Sequence, residues 1–147
     1  MKIAIGCDHG GIVLKPSILE YLGSKGIEFV DLGCFTTESV NYPDYAVAVA
    51  KKVSSKECDK GILLCGTGIG MSIAANKVKG IRAAVVSDAF CAKMCAEHNN
   101  ANVLCLGGRV ISPDKAVELV DVWLNTPFAG GRHQDRVDMI MKIETDE

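Results

Sequence analysis

The chain has 147 residues, 48% of them apolar, with a single Trp and a formal net charge of −2. Such a length and composition suit one globular domain around a single core and exclude a disordered chain. Its 16 Lys and Arg are scattered among 18 Asp and Glu, which leaves no basic stripe for nucleic acid.

In chain order, the sequence opens into a candidate strand over 2–7, with no signal-peptide pattern before it, so a cytoplasmic protein is expected. No apolar run approaches the roughly 18 residues of a membrane span, so no membrane partner is expected. A helical pattern over 12–24 holds Pro16 in its first turns. Then come a strand over 28–32 and a helix over 43–55 that starts at Pro43-Asp44. A strand over 60–65, a helix over 69–78 and a strand over 82–87 follow. A helix over 88–98 starts at Ser87-Asp88, and after a strand over 102–106 a helix over 113–125 starts at Ser112-Pro113-Asp114. Several strands are near-continuous apolar runs, as a sheet covered on both faces requires. Successive βα units predict an α/β fold: a doubly wound, five-stranded parallel sheet in the flavodoxin-like order 2-1-3-4-5, with helices on both faces.

A single domain over 1–147 is expected, with an extra helix over about 132–144 in which Val137, Ile140 and Met141 share a face and Arg132 and Arg136 stand one turn apart. A helix beyond a completed sheet is expected to pack on a partner subunit. The seven cysteines are odd in number and form no CxxC, which predicts reduced, mostly buried thiols rather than a disulfide framework.

Ligands of an open parallel sheet bind beyond the carboxyl ends of the strands, where strand order reverses. In the expected order that point lies between strands one and three. Strand one ends in Cys7-Asp8-His9-Gly10-Gly11 and strand three in Cys65-Gly66-Thr67-Gly68-Ile69-Gly70-Met71-Ser72. Glycines let backbone N–H groups approach a ligand, and a helix start favours an anion. Known signatures fail on single residues. Met71 stands where GxGxxG needs its third glycine and where a Cys-x5-Arg loop needs arginine, and there is no GxxxxGK[ST]. What remains is a thiol at the mouth of a ring of backbone donors, a competent base or nucleophile. Cys91, Cys95 and His98 share a helix face, but a fourth metal ligand is missing from the pattern.

The motifs Asp8-His9-Gly10-Gly11, Asn41-Tyr42-Pro43-Asp44-Tyr45-Ala46, Cys65-Gly66-Thr67-Gly68-Ile69-Gly70, Glu97-His98-Asn99, Leu106-Gly107-Gly108-Arg109 and Arg132-His133 resemble those of the ribose-5-phosphate isomerase B family. The likeness is nearly collinear from Met1 to about Arg136. It implies an aldose–ketose isomerase of the pentose phosphate pathway, without metal or cofactor, that interconverts ribose 5-phosphate and ribulose 5-phosphate. Relatives acting on galactose 6-phosphate or allose 6-phosphate belong to the same wider family. The resemblance implies that Cys65 shuttles the proton and His98 assists ring opening. Asp8, His9, Tyr42, Gly66, Thr67, Gly68, Ile69, Gly70, Asn99, Arg109, Arg132 and Arg136 would line the site.

The chemistry needs these types. One base on one face can move the proton between C2 and C1 through a cis-enediolate, whose oxygens backbone N–H groups of the 66–70 loop would stabilise. His98 suits donation to the ring oxygen, and Thr67 or Asp8 acceptance of the anomeric hydroxyl proton. Arg132 and Arg136, with His9, would hold the phosphate. His98 follows the fourth helix and so lies at the amino edge of the sheet, whereas Cys65 lies at the carboxyl edge, roughly 17 Å away. The expectation is therefore a homodimer, or a dimer of dimers, with His98 and Asn99 serving the partner's site. The rival from another class is a phosphocysteine carrier domain, in which the cysteine typically ends the first strand rather than the third.

Overall fold

A computed structural model describes residues 1–145. Five parallel strands form one sheet: β1 (Lys2–Cys7), β2 (Glu28–Asp31), β3 (Lys60–Cys65), β4 (Ala83–Val85) and β5 (Val103–Gly107). The helices are α1 (Lys15–Ser24), α2 (Tyr42–Ser54), α3 (Ile69–Ala75), α4 (Ala89–Glu97), α5 (Pro113–Leu124) and α6 (Arg132–Lys142). Their starts follow the expected signals. Pro16, Pro43 and Pro113 sit in first turns, the Asp88 carboxylate accepts from Cys91 N–H at 2.7 Å, and the Ser112 hydroxyl accepts from Lys115 N–H at 3.1 Å.

The strand order is 2-1-3-5-4, which corrects the expected 2-1-3-4-5. β5, Val-Leu-Cys-Leu-Gly, is buried along its whole length and takes the interior position between β3 and β4. β4 is three residues long, and its Val85 is 41% exposed, which suits an edge. The Asn76 side chain closes part of that edge, donating to Ala83 O at 3.0 Å and accepting from Ala83 N–H at 2.8 Å. With right-handed crossovers, the exchange sends α4 back across the sheet to the face of α1 and α5. The reversal between β1 and β3 is untouched, because β1 still connects leftward to β2 and β3 rightward to β4.

Alternation along the strands divides the core in two. Ile62 and Leu64 face Ile18, Leu22, Leu119 and Trp123 of α1 and α5. Leu63 and Cys65 face Val49 and Val53 of α2 and Met71 and Ala75 of α3. Each such fully buried Leu or Ile contributes about 1.5–3 kcal/mol relative to exposure. All seven cysteines are free, six buried and Cys91 exposed. α6 docks on its own chain through Val137 (4% exposed) and, just past its end, through the Glu144 carboxylate, which accepts from Gly80 N–H at 2.9 and 3.1 Å. Its Met139 and Ile140 remain exposed, as does Ile143 beyond it. No described helix is long and apolar enough to cross a membrane.

Candidate active site

At the end of β1 the chain turns sharply. Asp8, 7% exposed, folds its carboxylate back so that Oδ1 accepts from Gly10 N–H at 2.8 Å and Gly11 N–H at 3.0 Å. Among the described residues Oδ2 accepts no bond. His9 Nδ1 accepts from Val40 N–H at 3.2 Å, so the imidazole proton sits on Nε2 and is free to donate. A side chain at Gly11 would strike the Leu64 carbonyl, and one at Gly10 would lie 3.0 Å from Gly66 N. Those glycines let the first loop lie backbone to backbone on the end of β3.

At that end stands Cys65, 5% exposed and paired in register with Gly107. Its Sγ accepts from Gly68 N–H at 3.0 Å. Gly68 has φ +82° and its Cα faces Val85 and the β5 backbone, so only glycine makes this turn. Ile69 N–H is taken by Thr67 Oγ1 at 3.2 Å. The donors left for an oxyanion are therefore the N–H groups of Gly66, Thr67 and, as an orphan of the first helical turn, Gly70, rather than the whole 66–70 run.

A third loop completes the group. Gly108 N–H donates to Cys65 O at 2.8 Å and Arg109 N–H to Gly66 O at 3.0 Å. A Cβ on Gly66 would lie 3.0 Å from Arg109 Nη1, so the guanidinium rests across that glycine. Tyr42, at the start of α2, lies against Gly70, where a Cβ would come within 2.6 Å of its ring. Asp8, His9, Tyr42, Cys65, Gly66, Thr67, Gly68, Ile69, Gly70 and Arg109 thus gather at one place, the carboxyl edge of β1, β3 and β5. Beside them Ile69, Ile73, Val85 and Phe90 are all exposed apolar side chains.

The remaining site candidates lie elsewhere. His98 ends α4, and Asn99 borders a cavity of about 630 Å³ at the amino end of β4, together with Arg82, Ile140 and Glu144. The expectation that Arg132 and Arg136 join His9 is not met within one chain. α6 is anchored at the amino edge, where the His98 ring stacks on His133 with centroids 4.1 Å apart and planes 9° from parallel. Partial burial, then His98, Arg132 and Arg136, push the His133 pKa down. His133 is the contact the sequence reading missed. It lay inside a quoted motif, but one imidazole stacking on another far along the chain leaves no local signal. The cysteines of the α4 face also diverge: Cys91 is exposed and Cys95 buried, its thiol pushed up to about 11 by burial. Burial likewise pushes Cys7, next to Asp8, up to about 12, which leaves it inert beside the site.

A parallel α/β sheet with a cysteine and a glycine ring at its strand-order switch, opposite an Asp-His pair, defines a small-molecule site. The chain belongs to the Ribose/Galactose Isomerase family, whose model matches residues 3–140. It is 49% identical over 143 residues to ribose-5-phosphate isomerase B of Escherichia coli, covering 97% of this chain and 96% of that protein. Among solved structures, ribose-5-phosphate isomerase B of Clostridium thermocellum superposes with a TM-score of 0.97 at 54% identity, over 99% of this chain and 98% of the other. The Mycoplasma genitalium enzyme with bound ribulose-5-phosphate superposes with a TM-score of 0.96 at 44% identity, over 99% and 97% of the two chains.

Proposed function

We propose that this protein is an aldose–ketose isomerase interconverting ribose 5-phosphate and ribulose 5-phosphate, with Cys65 as the proton-transfer base. The observation that carries the reading is the Cys65 thiol, held by Gly68 N–H at the strand-order switch, where its glycine loop interlocks with the loop of Asp8 and His9. Membership of the family and the bound ketose phosphate of the Mycoplasma relative support it.

In the reaction, Cys65 Sγ takes the proton from C2 of the open-chain aldose and returns it to C1. Electrons move into the C1–C2 bond and onto the C1 oxygen, giving a cis-enediolate; the C2 hydroxyl proton passes to the C1 oxygen, and the C2 oxyanion then collapses to the ketone as C1 is protonated. The N–H groups of Gly66, Thr67 and Gly70 face the developing oxyanions without reorganising. For the closed sugar, His98 donates to the ring oxygen. The anomeric hydroxyl proton goes to the Asp8 carboxylate, directly or through Thr67. His9 Nε2–H, Arg132 and Arg136 hold the phosphate, and Tyr42 and Arg109 bound the sugar chain.

His98, Asn99, Arg132 and Arg136 serve this site from a second copy of the chain. Edge strand β4 has the exposed Ile69, Ile73 and Val85 at its carboxyl end, and Ile140 and Ile143 beside the cavity at its amino end. A two-fold axis across β4 lays each apolar rim on the other and carries the His98 edge to the partner's Cys65. A buried position for Cys65 disfavours the phosphocysteine carrier, whose thiol must meet another protein. Initial rates on ribose 5-phosphate, allose 6-phosphate and galactose 6-phosphate, each with EDTA, test the reading. Turnover concentrated on ribose 5-phosphate and indifferent to EDTA is expected. A preference for either hexose phosphate moves the assignment within the family, and loss of turnover in EDTA overturns the metal-free mechanism.

A further inference from the structure

We propose that Lys15 is a positioning residue that fixes the imidazole of His9 from a distance, through the loop 32–41; the inference rests on the reading of His9 as a phosphate donor. Lys15 opens α1, yet its side chain is only 8% exposed. A buried ammonium is costly unless fully paired, and among the described residues every partner it has comes from one segment of chain. Its Nζ donates to Cys34 O at 2.6 Å, lies 3.1 and 3.2 Å from the two Asp31 carboxylate oxygens, and stands 4.4 Å from the centre of the Phe35 ring. Lys15 is thus a strap between the helix that follows the Asp8-His9 turn and the loop that leaves β2.

That loop is tied on its other side to β1. Cys7 N–H donates to Gly33 O at 2.6 Å, and Cys34 N–H donates to Cys7 O at 2.8 Å, which extends the pairing with β1 past the end of β2. Asp31 Oδ1 also takes Gly33 N–H at 3.0 Å. From Phe35 onward there is no regular structure until α2, and within that run Val40 N–H meets His9 Nδ1. This bond is the one that orients the His9 ring among the described residues. It holds Nδ1 as the acceptor and so leaves Nε2–H to donate. The register of Val40 depends on where the loop begins, and the Lys15 ammonium clamps that beginning. Lysine on the first turn of a helix reads in the sequence as a solvated residue; here its charge faces inward onto the loop that sets a ligand-binding tautomer.

Lys15→Met keeps the length of the side chain and removes its charge. The KM for ribose 5-phosphate should rise about tenfold with kcat changed less than about threefold, the signature of losing binding common to ground and transition states. The inhibition constant of inorganic phosphate should rise in parallel. In ¹⁵N-histidine NMR the His9 ring should pass from a fixed Nε2–H tautomer to a mixture. His9→Ala should raise KM by itself, and Lys15→Met added to it should change nothing more. A folded Lys15→Met with unchanged KM and a fixed tautomer would overturn the inference while leaving the His9 reading intact. An equal KM rise in both backgrounds would overturn it too, since Lys15 would then act on the fold at large. No KM change in His9→Ala would remove the phosphate reading and the inference with it. If Lys15→Met does not fold, Asp31→Asn, which removes the counter-charge of the ammonium, must shift the same tautomer, or the inference fails.

Discussion

Mixing two inactive variants, Cys65→Ala and His98→Asn, should restore isomerase activity. Cys65 is paired with Gly107 at the carboxyl end of β5, whereas His98 and Asn99 precede its amino end at Val103. A strand of that length separates the two by about 17 Å, while a proton donor must come within about 3 Å of its acceptor. Loss of the base should lower kcat by about 10²–10⁴, and the His98→Asn chain should fail on the closed sugar by a similar order. In a mixed dimer one site joins Cys65 of one chain to His98 of the other and is intact, and the second site lacks both. Random exchange makes about half the dimers mixed, so activity should return to about one quarter of wild type. The assay is ketose formation from ribose 5-phosphate, with heterodimers counted by native mass spectrometry of size-tagged chains. Heterodimers at half abundance with activity no higher than that of the parents would refute the shared site.

Gly70→Ala should push the Tyr42 ring aside, because the added Cβ falls 2.6 Å from it, and overpacking of this kind costs about 1–3 kcal/mol. A raised KM with a lowered Tm is expected, and unchanged kinetics would remove Tyr42 from the sugar wall. Stability should fall as pH rises above about 9. Burial raises Cys7 and Tyr21 to about 12 and Cys95 to about 11, whereas the unfolded chain releases these protons near 9 to 10. The folded state therefore holds more protons in that window, and its advantage is complete below about pH 9 and lost above it. Tm measured from about pH 9 to 11 under reductant should drop, with a shallower drop in Cys95→Ala; a flat wild-type profile would contradict the burial argument. Ser112→Ala removes the cap of α5 and should cost about 1 kcal/mol in urea unfolding with activity unchanged.

Local chemistry wrote much of this protein into its sequence. The alternation of short apolar runs with 3.6-residue patterns located every strand and helix, and Pro43, Asp88 and Ser112 marked helix starts, because periodicity and capping act within a few residues. The Cys65 loop and its partner at Asp8-His9 were legible for the same reason: both end strands on either side of the reversal.

Tertiary structure decided what depends on the relative burial of distant segments. β5 took the interior place from β4, being longer and buried along its whole length where β4 has three residues and an exposed Val85, a comparison between strands that neither contains alone. Gly107 and Gly108 follow the fifth strand in the sequence, and only the fold shows that they let backbones cross at Thr67 and Gly10. Only packing brought Asp31 to Lys15 and His98 to His133. Above all, the sequence supplied the candidates for the site and placed His98 and Cys65 at opposite edges of the sheet, but only the fold put Arg132 and Arg136 on the His98 edge, away from His9. A strand's length is local, whereas what lies beside its two ends is settled by the packing of the whole chain.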